Sequence, residues 1–383
     1  MIFWYFVAFL ALGMLLINSS LTKSARLGRL AWWLSFLIFG ILSIFLVARG
    51  DMGIDWFNYL DVYIKSPSFY SLVTQNNWLD FNLEPGFQVY MSILKLFELH
   101  YNLIPTLLFV VSYLMVMHGC KLWNISPLPM TAMITLLIYP NYYGQIRMAF
   151  VYTIGILIGL SILNRSTKHK FLLTLLSASF HYIGLTYLIA LFVPLRLPNL
   201  FIFRSLNAID YTSLQKRLAT VFFYLSLLFS CVLFSQPILQ SIVSVLSLSS
   251  NPLSEKLTIY YLRITDLDQS NLGFLLLLAF ASMLILFSNR ESSARRTTVF
   301  AAGIGFFAAA LALAITSSFP VLSHRLFSII FIPSMSILIS SVSLGSKSNC
   351  LLYILLALYS FNYFFRVSYS IGPYISLGGQ YLL

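Results

Sequence analysis

Acidic side chains are scarce in this chain. Only eleven Asp and Glu occur in 383 residues, charged residues of both signs make up 9%, and hydrophobic residues make up 59%. Mean hydropathy is +0.87. A soluble domain of this size needs a far more charged skin, so a water-soluble globular fold is excluded. Cysteine is scarcer still. Cys120, Cys231 and Cys350 each sit in or beside an apolar run, without pairing pattern or metal-ligand spacing, which leaves helix packing as their role. The five histidines, His100, His118, His169, His181 and His324, form no HExxH or similar set, so no metal centre is expected. No GxSxG, phosphate-binding loop or GxGxxG is present, which removes a serine hydrolase, an ATP-driven pump and a nicotinamide enzyme; no cofactor is implied.

What the chain does have is a succession of apolar runs of membrane-spanning length. These imply an all-α, polytopic integral membrane protein with about 10–12 transmembrane helices. The runs are continuous rather than alternating, which rules out a barrel. The net charge of +12 does not point to nucleic acid, because the basic residues fall in short clusters at segment ends and form no stripe. The N-terminus is apolar from Ile2 with no basic lead, so residues 1–17 read as a retained first helix rather than a cleaved signal. No stretch is long enough to fold as a soluble domain, and there is no repeat. The whole of 1–383 reads as one polytopic domain, with external loops at 49–85 and 236–271.

Spans are expected at 1–17 and 30–48, with Lys23, Arg26 and Arg29 holding the loop between them in the cytoplasm and the stretch after Arg49 outside. The segment WFNYLDVYI mixes aromatic and polar residues like a helix lying on a membrane surface. Pro85 suits the first turn of a helix over about 86–99, which places Glu84 at its N-terminus, where the dipole favours an anion. Further runs cover 103–120, 128–140, 143–163, 171–194 (with His181 in its middle), 218–235, 272–287, 297–317, 324–342 and 350–366. Pro140 and Gly144 in YPNYYGQIR break the helix between two of them. If every run crosses, Arg165, Lys168 and Lys170 fall outside, against the positive-inside tendency. If 128–140 dips in and returns as a broken helix lining a cavity, that loop moves inside and Arg147 faces the external side. A second partial crossing near 195–206 then restores the later parity.

Five of the eleven acids, Asp51, Asp55, Asp61, Asp80 and Glu84, crowd into Arg49–Gln88. A sugar hydroxyl attacking an activated anomeric carbon needs a base, and a carboxylate against an apolar wall suits the task. The plainer alternative is an interfacial loop whose acids face water. Arg147 in QIRMAF and Arg325 in SHRLFS lie in or beside apolar runs. An intramembrane charge costs about 3 kcal/mol or more and is retained for a partner or substrate. The arginine fork matches phosphate oxygens, although snorkelling to headgroups explains such residues too. His181 in SASFHYIGL reads either as a packed core residue or as a working one. Asp266 and Asp268 form a DxD-like pair, for which Arg263 is a simpler partner than a divalent cation.

RGDMGIDWFNY, LEPGF, NYYGQIRMAF and SASFHYIGL, in that order over residues 45–195, resemble the EpsG-like and Wzy-type bacterial polysaccharide polymerases. That family's pattern reads Gly-Thr-Asp-Tyr, Glu-Pro-Gly-Phe, Ile-Arg-Gln and Phe-His-Ser. Here Ile54 replaces Thr, Trp56 replaces Tyr, Met148 replaces Gln and Tyr182 replaces Ser, while Asp55, Glu84, Arg147 and His181 are kept. Arg325 fits a later arginine that begins a span. The resemblance implies a bacterial inner-membrane enzyme, active at the periplasmic face, that polymerises O-antigen or exopolysaccharide repeat units carried on undecaprenyl diphosphate. Catalytic roles then fall to Glu84 or Asp55 as base, with His181 as partner. Arg49, Asp51, Arg147, His324 and Arg325 would bind diphosphate or glycan. The implied partners are the lipid-linked oligosaccharide, membrane lipid, and the pathway's chain-length regulator and flippase. A lipid-linked monosaccharide glycosyltransferase is the alternative enzyme. A lipid-linked oligosaccharide flippase is the alternative class, although the paired broken helices of a transporter are not seen.

The basic cluster Arg165, Lys168 and Lys170 predicts that the loop around Thr167 is cytoplasmic. A cysteine placed at Thr167 is expected to resist an impermeant thiol reagent added to intact spheroplasts. Ready labelling from outside would restore twelve full crossings.

Overall fold

Apolar runs broken by proline, glycine and short polar turns fold here as successive helices. The computed structural model describes residues 25–48, 56–75, 83–164 and 167–188, with residues 241, 329, 332–333, 335–337, 340, 376–377 and 380–381. The chain divides into two compact units, Met1–Leu191 with Ala357–Leu383, and Phe192–Leu356. The first unit contains α1 (Ala25–Val47), α2 (Trp56–Lys65), α3 (Phe69–Thr74), α4 (Pro85–Leu96), α5 (Leu103–Leu122), α6 (Pro127–Met133), α7 (Ile146–Leu163) and α8 (Thr167–Phe180). In the second unit, the described residues between 329 and 340 are helical, inside the expected span 324–342. Among the described residues, α5 and the Gly28–Val47 part of α1 are long and apolar enough to cross a membrane, and Ile146–Ile162 is a shorter apolar helix. The expected spans 1–17, 218–235, 272–287, 297–317 and 350–366 lie outside the described residues, as does nearly all of 236–271.

The described elements are helical, in keeping with the all-α expectation, apart from one pair of two-residue strands. Ser376–Leu377 pairs antiparallel with Gln380–Tyr381.

Tyrosine hydroxyls make several of the cross-helix polar contacts inside this apolar bundle. Tyr113 donates to the Ser35 carbonyl at 2.8 Å, Tyr139 to the Leu42 carbonyl at 2.8 Å, and Tyr143 to the Phe45 carbonyl at 3.4 Å. Three rings from α5 and from the segment after α6 thus stitch one side of α1, and Tyr113 stacks on Phe39 with centroids 4.4 Å apart. Such bonds hold helices together where apolar burial alone gives no preference between lipid and protein. Ser112 and Tyr142 share a further buried bond, and Cys120 is a buried free thiol packed within α5.

The expected break around Pro140 is present, and it is more extended than the sequence suggests. After α6 the helix widens into a π turn over Ile134–Ile138, then tightens into a 3-10 turn over Tyr139–Tyr143. Proline removes one N–H and collides with the carbonyl four residues earlier, so regular α geometry fails on both sides. Every residue from Pro127 to Gly144 is buried. Gln145 leaves helical geometry at φ −110° and ψ 62°, and α7 starts afresh at Ile146. From there α7 and α8 form a tight helical hairpin across a three-residue connection at 164–166.

The surface-helix expectation for Trp56–Ile64 corresponds to α2. Its C-terminal carbonyls are held by the Lys95 ammonium of α4, which donates to Ile64 O at 2.8 Å and Ser66 O at 2.6 Å. The Tyr63 hydroxyl donates to Leu99 O at 2.8 Å. A cation at a helix C-terminus also meets the negative end of the dipole. The exposed Lys65–Asp61 pair adds little by comparison. Lys95→Met keeps the stem and removes the donors. It is expected to cost about 1 kcal/mol, or about 2–4 °C in melting temperature for the detergent-solubilised protein. Unchanged melting would show that Lys95 does not fasten α2.

Candidate functional site

Glu84 precedes Pro85, whose ring fixes the first residue of α4, and its backbone is extended at φ −67° and ψ 140°. At this N-cap position a carboxylate ordinarily turns inward to cap its own helix. Here it makes no cap bond and reaches across to two other segments instead. Its Oε2 accepts from Arg147 Nη1 at 2.6 Å, and its Oε1 accepts from the Tyr182 backbone N–H at 3.2 Å. The Glu84 side chain is 4% exposed and that of Arg147 is 23% exposed.

Arg147 owes its place to the break before it. Gln145 is the N-cap of α7, so Arg147 sits in the first helical turn, where a cation opposes the dipole. Glu84 compensates that opposition. The guanidinium carbon also lies 5.8 Å from the Tyr59 ring centroid and 5.5 Å from that of Phe87, within cation–π range. Arg147 Nε is buried without a hydrogen-bond acceptor.

His181 does not occupy the middle of a helix, contrary to the reading of 171–194 as one run. The α8 helix stops at Phe180, His181 is extended at φ −160° and ψ 126°, and a 3-10 turn follows over Tyr182–Tyr187. The imidazole serves as the cap of that turn, with Nδ1 accepting from Ile183 N–H at 3.2 Å. An accepting Nδ1 places the proton of the neutral ring on Nε2. Glu84 Oε1 is 3.8 Å from this same Nδ1, so two acceptors face each other rather than forming a hydrogen bond. Gly184 makes the turn compact: a Cβ there would lie 2.6 Å from the Ser177 carbonyl carbon and 2.7 Å from Ala178 N.

An aromatic wall backs the site. Phe87 is fully buried and meets Tyr59 and Phe180 edge-on at 5.7 and 6.4 Å, while Phe150 and Phe180 stand 4.1 Å apart. Three of the four sequence motifs therefore converge: Glu84, Arg147 and His181, far apart in the chain, share one buried locus. Tyr59 brings the fourth motif to it through the aromatic contact. Asp55, Arg49, Asp51, His324 and Arg325 lie outside the described residues, as do Asp266 and Asp268.

Sequence reasoning did not single out Tyr59, Phe87 or the Tyr182 N–H. The first two stand inside the quoted motifs, four residues after Asp55 and three after Glu84, so motif membership was the available signal. The backbone donor has no sequence signal. Among the described residues, no three His, Cys, Asp or Glu side chains gather to hold a metal ion.

The model of the EpsG family matches residues 32–377. No curated protein and no solved structure matches the chain.

Gly86 is what lets α4 approach α8 closely enough for this geometry. A Cβ at Gly86 would lie 2.4 Å from Ser179 Oγ and 2.8 Å from both Ser179 Cβ and its carbonyl oxygen. Gly86→Ala is expected to destabilise by about 1–3 kcal/mol through overpacking. Adding Ser179→Gly should restore only part of the loss, because the backbone oxygen stays in place. Thermal melting of the single and double variants decides this, and full recovery would show that the side chain alone limits the approach.

Proposed function

The chain belongs to the EpsG family, and from that membership together with the buried Glu84–Arg147 pair we propose that it is a polysaccharide polymerase of the bacterial inner membrane. In this reading it is a multi-pass glycosyltransferase whose active site faces the periplasm. It moves a glycan from undecaprenyl diphosphate onto a sugar hydroxyl of a second lipid-linked repeat unit.

The observation that carries the proposal is Arg147, a cation retained at a helix break inside apolar surroundings, with one fork nitrogen on Glu84 and its Nε without an acceptor. Retaining such a group is expensive, which argues for a working role. In the reaction, the acceptor oxygen bonds to the donor's anomeric carbon as the bond from that carbon to the phosphate oxygen breaks. The electron pair leaves on the diphosphate, where Arg147 meets it as a preorganised positive charge. Arg325 would share that task, with Arg49, Asp51 and His324 binding phosphate or glycan. The acceptor proton passes to a carboxylate, Asp55 or Glu84. His181 carries its proton on Nε2, which suits it to donate a hydrogen bond to glycan or phosphate oxygen. No soluble nucleotide-sugar module is required, because the donor is delivered in the lipid phase.

Arg147→Lys keeps the charge and loses the planar fork. It is expected to cut polymer output at least tenfold while the protein still accumulates in the membrane, with single repeats displayed in place of long chains. Glycan length on a gel reads the outcome directly. Near-normal polymer would reduce Arg147 to a structural ion pair, and loss of all displayed repeats would favour a flippase.

A further inference from the structure

A base must offer a carboxylate oxygen to the hydroxyl it deprotonates. Glu84 has little to offer. One oxygen is held by Arg147 Nη1 at 2.6 Å, the other by Tyr182 N–H at 3.2 Å, and the side chain is almost wholly buried. What Glu84 does instead is join three segments at one point: the start of α4, the start of α7, and the turn after α8 that carries His181. Its bond to Nη1 fixes the rotation of the guanidinium, and its bond to Tyr182 N–H fixes the backbone on which the His181 ring is mounted. Arg147 Nε is then left as a buried donor without an acceptor.

We propose that Glu84 is a positioning residue and not the base. It orients Arg147 so that the Nε side of the fork meets an oxygen of the departing diphosphate, and it holds the His181 turn beside it. This rests on the polymerase reading above and assigns the proton to a group other than Glu84. The same geometry explains why the site tolerates a buried carboxylate close to where a polyanion must bind. The Glu84 charge is spent on Arg147 and a backbone N–H, so the donor diphosphate meets a neutralised acid.

The test uses full-length protein in detergent micelles, with undecaprenyl diphosphate as the binding probe and elongation of lipid-linked repeats as the activity. Glu84→Gln is expected to weaken undecaprenyl diphosphate binding about tenfold, the scale of a disturbed charge-assisted contact. The kcat at saturating donor should fall by a similar factor, because the same contact stabilises the departing diphosphate, and the acid limb of its pH profile should stay in place. If Glu84 were the base, the substitution would leave binding intact, lower kcat by about 10²–10⁴-fold, and remove the acid limb of the profile. Because Glu84→Gln leaves Arg147 without its counter-charge and could fail to fold, the pair Arg147→Gln and Glu84→Gln/Arg147→Gln is measured alongside. The double variant buries no lone charge. A positioning role acting through Arg147 predicts that the double variant binds undecaprenyl diphosphate no more weakly than Arg147→Gln alone. Additive loss would overturn the proposal. If the parent protein binds undecaprenyl diphosphate but does not lengthen the glycan, the polymerase reading falls while the binding comparison still judges the coupling of Glu84 to Arg147.

Discussion

Everything in the described part of the molecule is compatible with one demand, that the Arg147 charge be kept inside an apolar bundle. The Glu84 carboxylate meets that demand at 2.6 Å. Losing one member of a buried pair typically costs about 3–5 kcal/mol, since the survivor is left desolvated and alone. The pair therefore constrains its surroundings. Helix α4 must begin where it does, so Pro85 opens it, and α4 must lie against α8 without a side chain between them, so Gly86 stands next. Helix α7 must begin at Ile146 rather than continue from α6, which is the consequence of the Pro140 break.

The break and the pair are two parts of one device. A continuous helix through 127–163 would carry Arg147 mid-helix, with no free N-terminal turn and no reason to face Glu84. By interrupting it, the chain places a cation at a helix start, where the dipole disfavours it, and then relieves the cost with an anion at the start of another helix. Two helix N-termini thus converge on one ion pair. A region of concentrated positive potential results, moderated by a single carboxylate, and this suits a polyanionic leaving group. The tyrosine hydroxyls that bind α1 carbonyls keep the broken segment fixed, since irregular backbone in apolar surroundings persists only when its polar groups find partners.

Family membership and geometry support the same reading from different directions. The family match spans residues 32–377, well beyond the motifs that carried the first resemblance. The geometry adds what a motif cannot: Glu84 and His181 both present acceptors to one another at 3.8 Å, so they do not form a hydrogen-bonded acid–base relay in the neutral-ring state. That geometry supports the proposed reading of an arginine held in place by a glutamate.

Much of this was legible from residue order alone, because the properties concerned are local. Apolar run length set α1, α5 and α7 within a few residues, Pro85 marked the start of α4, aromatic–polar mixing marked α2, and Pro140 marked the break. The scarcity of acids made Glu84 conspicuous, and an arginine beside a helix break made Arg147 so. The reading of 171–194 as one run failed at His181 for a physical reason. Its residues are mostly apolar on both sides of His181, and hydropathy cannot distinguish a continuing helix from one that a side-chain cap at Ile183 N–H brings to an end. Partnership was beyond the sequence altogether. That Glu84 meets Arg147 rather than capping α4, that Tyr59 and Phe87 flank the guanidinium, and that Tyr182 lends its N–H depend on helix approach distances set by Gly86 and Gly184. Those distances are properties of packed helices, and only the tertiary structure decided them.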